Sequence, residues 1–119
     1  MADLTRQDVI RILAVTEKAR LAGVDLSGLD LHGLNFAGAD LIRANLSGSD
    51  FSNAYMRGAI LEFVVAEGAT FAGANLKEVN FKNANLRGAD LSHSNMTDTN
   101  LYQADLHSAI LEAVEGFSR

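Results

Sequence analysis

The sequence predicts an all-β solenoid, a chain wound into stacked coils around a packed lumen, on three observations. First, a marker position recurs every five residues without a slip: Leu21, Leu26, Leu31, Phe36, Leu41, Leu46, Phe51, Met56, Leu61, Ala66, Phe71, Leu76, Phe81, Leu86, Leu91, Met96, Leu101, Leu106 and Leu111. Eighteen of these nineteen positions are large and apolar. Second, the residue two before each marker is small or apolar, most often Ala, and the residue one before it is Asp or Asn thirteen times. Third, Gly stands two after the marker nine times. Self-similarity of this kind decides the architecture before any local propensity does.

Each observation has a structural meaning. A period of five fits neither the 3.6 of a helix nor the alternation of a long strand. Within Ala39-Asp40-Leu41 the first and third residues share a face, as in a short strand. The next apolar pair returns to that face five residues later, so the chain must turn inside every unit. Gly tolerates positive φ, and Asp or Asn bonds its own backbone, so both suit such a corner. A short straight segment followed always by the same corner winds into a solenoid. The markers and the small residues two before them fill the lumen, and neighbouring turns lie at strand spacing, about 4.8 Å. Gly28, Gly48, Gly68 and Gly88 form a column twenty apart, as a repeated corner of a four-sided coil requires.

Units such as Ala39-Asp40-Leu41, Ala44-Asn45-Leu46, Ala74-Asn75-Leu76, Ala84-Asn85-Leu86, Ala89-Asp90-Leu91 and Ala104-Asp105-Leu106 match A(D/N)LXX in full. The sequence thereby resembles the pentapeptide-repeat family. That resemblance implies a right-handed quadrilateral β-helix with twenty residues per coil, here a little under five coils.

Taken in order, residues 1–19 precede the repeat and are expected to form a capping helix. Thr5 and Asp8 read as a helix N-cap with its reciprocal acid, and Leu4 and Val9 as the hydrophobic staple beside it. From Arg6 to about Lys18 the residues Val9, Ile10, Ile12, Leu13 and Val15 make a broad apolar stripe. A helix this short needs packing, and the open first coil offers apolar residues and an unpaired edge. The alternative is an amphipathic helix for a partner. The β-helix spans 20–113; its first coils are regular, with Leu29 and Leu34 enlarging the lumen where the helix is expected to pack.

The middle coil keeps the markers but fills the Asp/Asn slot with Tyr55, Ile60, Val65 and Thr70. That slot points outward, as does the position of Phe63. The expected interface is therefore Tyr55, Ile60, Phe63 and Val65, with Ile42 one coil away; a contiguous apolar patch marks an interaction surface. The competing reading is that β-branched residues suit a strand-like wall. Ala66 stands between Leu46 and Leu86 and predicts a lumen gap that Val64 fills in part. From Phe71 to Leu106 the repeat is regular again, with Lys77, Lys82 and Arg87 read as a solvated surface. Residues 114–119 form a short tail, in which Ile110, Val114 and Phe117 either cover the last coil or meet a second copy.

Composition narrows the function. The chain of 119 residues has no Cys and no Pro, and a formal charge of -5 that disfavours direct nucleic-acid binding through phosphates. No long apolar run or signal-peptide pattern is present, so a cytoplasmic location is expected, with no membrane partner. His32 and His93 fall on one wall three coils apart, too distant for shared chemistry, and no phosphate loop or zinc-protease pattern occurs. Carboxylates such as Asp25 and Asp30 occupy repeat slots that turn stabilisation explains. The Asn45 and Asn95 glycosylation sequons are discounted for the same reason. A filled solenoid also lacks a substrate pocket. No enzyme, cofactor, metal or small-molecule substrate is expected. The expected function is a structural or protein-interaction module, presenting one wall to a protein partner or to itself as a weak homodimer. The alternative comes with the resemblance, since some family members imitate DNA and occupy DNA gyrase. The wall of Asp30, Asp50 and Asp90, interrupted by Thr70, is the only feature offered for it.

Overall fold

The computed structural model describes residues 2–117. Its helix, α1 (Arg6–Val15), begins where the sequence places it: the Thr5 hydroxyl accepts from the Asp8 N–H, and the Asp8 carboxylate accepts from the Thr5 N–H at 3.0 Å. It ends at Val15 rather than near Lys18, because Thr16 is extended and turns the chain toward the first coil. Val9 is fully buried, with Leu4, Ile12 and Leu13 partly buried against the same core.

From residue 20 onward the described residues make sixteen parallel bridges, each between residues twenty apart, from Arg20↔Asp40 to Asn95↔Glu115. Four corners per twenty residues make the coil four-sided. Each wall contributes one bridging residue at a time, so the walls are a stack of isolated bridges rather than continuous strands. The reason is the shortness of the straight segment between corners.

The unit closes its own hydrogen-bond account, as the unit around Leu41 shows. Ala39 donates to the Phe36 carbonyl at 2.9 Å and closes the corner, while Asp40 donates to Ala19 at 2.8 Å in the preceding coil. Leu41 donates to Ile60 at 2.8 Å and Arg43 to Glu62 at 3.0 Å, both in the following coil. The fifth N–H, that of Ile42, donates to the Asp40 carboxylate at 3.1 Å. The repeat slot is thus needed to satisfy the one backbone donor that the coils leave unpaired. Positive φ falls on the third residue of each corner, the type II arrangement, for example +69° at Gly28 and +61° at Arg43.

Inside, every marker from Leu21 to Met96 is buried, whereas Leu101, Leu106 and Leu111 of the last coil are half-buried. Leu29 and Leu34 are half-buried and pack against the core. Each of the first four coils holds one inward phenylalanine, and these make a continuous run. Phe36 meets Phe51 edge-on at 5.2 Å, Phe51 stacks on Phe71 at 5.4 Å, and Phe71 meets Phe81 edge-on at 5.8 Å. At Ala66 the expected deficit is offset within its own unit, since Val64 replaces the usual Ala and is buried.

Candidate interaction surface

Function has to be sought on the outer walls, because the lumen is filled. All thirteen Asp and Asn slots accept a hydrogen bond from the N–H two residues on, among them Asn45 from Ser47 at 3.0 Å and Asp50 from Ser52 at 2.8 Å. Thr70 does the same through its hydroxyl. Tyr55, Ile60 and Val65 cannot, so the N–H groups of Arg57, Glu62 and Glu67 lose their internal acceptor. Asx capping therefore lapses for three successive units of a single coil.

The same coil carries exposed apolar groups. Tyr55 is 42 %, Phe63 41 % and Val65 41 % exposed. Ile60 and Ile42, expected with them, are only half-buried and do not belong to the exposed set. Ile60 instead floors a shallow groove beside the linker from α1, lined by Val15, Lys18, Arg20 and Asp40 among others. The linker passes over this wall, with the Lys18 stem against Gly38, which the sequence pattern did not foretell. Phe63 also holds its backbone at φ +57°, a left-handed conformation that costs a side chain about 1–2 kcal/mol relative to the right-handed one. Its ring lies under Arg43, whose Cζ is 4.5 Å from the ring centroid. Tyr102, 61 % exposed, has Lys82 Nζ at 5.9 Å from its centroid. The sequence pattern placed Lys82 only in a solvated surface and did not single out Arg43 or Tyr102, although steps of twenty join Arg43 to Phe63 and Lys82 to Tyr102.

The charged walls are largely self-satisfied. Asp30 accepts from the His32 ring and lies 3.5 Å from the Arg6 guanidinium, which also donates to the Asp30 carbonyl at 2.7 Å. These contacts, the His32 side-chain bond foremost, hold the Asp30 carboxyl below its ordinary value. Arg57 pairs with Glu78 at 2.8 Å and Arg87 with Asp105 at 3.0 Å. Lys77 is half-buried. Asp30, His32 and Asp50 bring donor atoms within 4.8 Å of one another, the one metal-capable cluster among the described residues. Its members are already engaged by each other, by Arg6 and by Ser52. Asp50 and Asp90 spend a carboxylate oxygen on their own corners, so the acidic wall is a by-product of capping. At the far end Val114 and Phe117 are half-buried against the last coil, while Ile110 occupies an outward slot, 48 % exposed. The remaining tail residues, Ser118 and Arg119, lie outside the described residues, as does Met1. No helix among the described residues is long and apolar enough to cross a membrane.

Fold and surface together define a repeat solenoid, a rod with a filled lumen and all its chemistry on the outside. The pentapeptide-repeat profile matches residues 19–58, 49–88 and 74–112, in eight copies, and the chain belongs to that family. Pentapeptide-repeat proteins have a right-handed quadrilateral β-helix fold and are generally non-enzymatic. No curated protein sequence matches the chain. Among solved structures it is similar to alr5209, a pentapeptide-repeat protein from Nostoc PCC 7120, with 26% identity and a TM-score of 0.62, covering 91% of this chain and 96% of that one. It is also similar to HetL, a pentapeptide-repeat protein involved in heterocyst differentiation regulation from the cyanobacterium Nostoc sp. strain PCC 7120. There the identity is 26% and the TM-score 0.60, over 82% of this chain and 57% of HetL, so the match spans little more than half of HetL's length. QnrB1, a plasmid-mediated fluoroquinolone resistance protein, is 22% identical with a TM-score of 0.46, over 83% of this chain and 62% of that one.

Proposed function

We propose that this chain is a non-enzymatic protein-interaction module, a rod wound right-handed like its family, whose middle coil is presented to a protein partner. The observation that carries this reading is the coincidence in one coil of two departures from the repeat. Asx capping is given up at Tyr55 and Val65, and the side chains that replace it are exposed and apolar. A wall built for stability alone would keep the Asn or Asp that satisfies the backbone. Covering apolar surface contributes about 25 cal/mol per Å², so a few such side chains support modest affinity once the cost of association is met.

The test is a Tyr55→Asn, Val65→Asn variant, which restores the repeat residue and removes the apolar belt. Circular dichroism is expected to show an unchanged fold. Sedimentation of the pure protein and affinity capture from extract are expected to show a partner, or a second copy, lost from the variant. Identical mass and identical captured proteins for the two forms would sink the proposal.

A further inference from the structure

Two exposed rings each carry a cation from the coil before them. Arg43 lies over Phe63 at 4.5 Å, and Lys82 over Tyr102 at 5.9 Å. The four residues occupy the same corner in successive coils: Arg43 and Phe63 share one column, and Lys82 and Tyr102 the column beside it. Cation and ring therefore alternate along the rod, one step per coil, about 5 Å apart along the axis. Both cations are exposed, and neither has an ion pair or hydrogen bond to an acid among the described residues. Arg6, Arg11, Arg57 and Arg87, by contrast, are matched to Asp30, Asp8, Glu78 and Asp105. Glu62, the acid next to Lys82 in its column, turns its carboxylate to the Asn80 side-chain amide at 2.7 Å. On a chain of net charge -5, this corner holds two cations on aromatic faces with no ion-pair partner, and with Glu62 counted its net charge is still positive.

Phe63 adds a separate argument. Among the described residues nine corners meet the positive-φ requirement with glycine and ten with other residues; Phe63 places a bulky ring there, at φ +57°, and leaves it 41 % exposed. The lumen gains nothing from that ring.

We propose that this corner is a docking ladder for an extended acidic peptide segment that also bears apolar or aromatic side chains. The inference rests on the interaction-module reading and supplies its partner chemistry. A guanidinium that uses its face on a ring keeps its in-plane N–H groups for a carboxylate, and the ammonium of Lys82 offers a second point charge. The rings between them take the segment's apolar side chains, and neighbouring cations strengthen both contacts. Single-stranded nucleic acid seeks the same pairing of rings and cations. Two cations at this corner of an acidic chain are too few to hold a run of phosphates, so the acidic peptide is the occupant assigned.

The experiment measures fluorescence anisotropy of a labelled peptide that alternates glutamate and phenylalanine. A lysine–phenylalanine peptide and an oligothymidine serve as the other probes. The whole chain is used in three forms: wild type, Arg43→Gln with Lys82→Gln, and Phe63→Gly with Tyr102→Ser. All four positions point outward, and circular dichroism verifies that each variant folds. The acidic peptide is expected to bind the wild type in preference to both other probes, to weaken with salt, and to lose about tenfold or more in each double variant. Equal binding of acidic and basic peptides, preference for oligothymidine, or undiminished binding by both variants would overturn the assignment. Loss of the Tyr55- and Val65-dependent partner bears on the module. If the acidic peptide fails to bind the wild type while that partner is still captured, the corner is wrong and the module stands.

Discussion

Leu86 and Asp90 are four residues apart and do opposite work. Leu86 is fully buried beside Ala66, and truncating it to Ala is expected to cost about 2–5 kcal/mol, because a filled lumen collapses poorly around a cavity. Asp90→Ala removes one acceptor, for the Ser92 N–H at 2.9 Å, at a half-exposed wall and should cost about 1 kcal/mol. Urea denaturation ranks the two, and the reverse order would contradict the division between lumen and wall. Phe63 is the residue where strain and exposure coincide. Phe63→Gly relieves a left-handed side chain but gives up the contact with Arg43 and adds unfolded-state entropy. The expected net change is within about 1 kcal/mol of zero. A loss of several kcal/mol in the same denaturation series would make the ring a structural element after all. Gly68→Ala presents the converse case: nothing lies within 4 Å of the added Cβ, yet φ is +68°. The backbone alone makes that change unfavourable.

At the scale of the unit, the structure explains why Asp and Asn recur and what it means when they lapse. Four of five N–H groups are bonded through the corner and the neighbouring coils, and the slot side chain takes the fifth. Tyr55→Asn and Val65→Asn hand an acceptor back to Arg57 and Glu67. Each is expected to stabilise the fold by about 0.5–1.5 kcal/mol, read as a higher midpoint in chemical denaturation. Destabilisation by either would show that the belt serves the wall, as β-branched packing would. The helix behaves as a cap in hydrogen bonds as well as in apolar cover. Arg6 donates to the Asp30 carbonyl, while Asp3 and Asp25 exchange a pair of bonds, at 2.8 and 2.9 Å, along the edge of the first coil. Carboxylates of the cap and the first coil set an acid limb. Asp8, Asp25 and Asp30 all have carboxyls held below their ordinary values by hydrogen bonds, from the Thr5 backbone, the Ser27 side chain and the His32 side chain respectively. A depressed folded value means stability that is present above the ordinary carboxylate range and is lost as pH falls through that depressed value. Thermal unfolding followed downward from neutral pH is expected to lose stability in the acid range, and Asp30→Asn to flatten that loss. An acid limb identical in wild type and variant would show that Asp30 is not linked to folding.

At the scale of the whole molecule, the rod measures 37 × 26 × 20 Å along its principal axes. A short rod with its carboxylates turned to its own backbone is a poor imitation of a duplex, whose charge is regular and unpaired. Supercoiling by DNA gyrase is therefore expected to proceed unchanged when this protein is added at micromolar concentration. Strong inhibition that disappears at high salt would instead promote the Asp30, Asp50 and Asp90 wall to a functional surface. The two surface features that do stand out, the belt of Tyr55 and Val65 and the corner from Arg43 to Tyr102, meet at Phe63. A partner engaging both would cover three neighbouring walls around the middle of the rod.

The five-residue period was enough by itself to determine the solenoid and the inward ladder from Leu21 to Met96, and the pairing of Thr5 with Asp8 to determine the helix start. Each follows from local rules: periodic burial, turn chemistry and a reciprocal cap act within a few residues of each other. Only the stacked structure decided which residues meet across coils. Arg43 reaches Phe63, and Lys82 reaches Tyr102, because a four-sided coil brings positions twenty apart into register. Ile60 is half-buried instead of exposed for a similar reason, since a slot residue is flanked by Asp40 and Asn80 of the coils stacked on either side. The pattern records which face a side chain takes; what lies on that face one coil away depends on how the chain closes on itself.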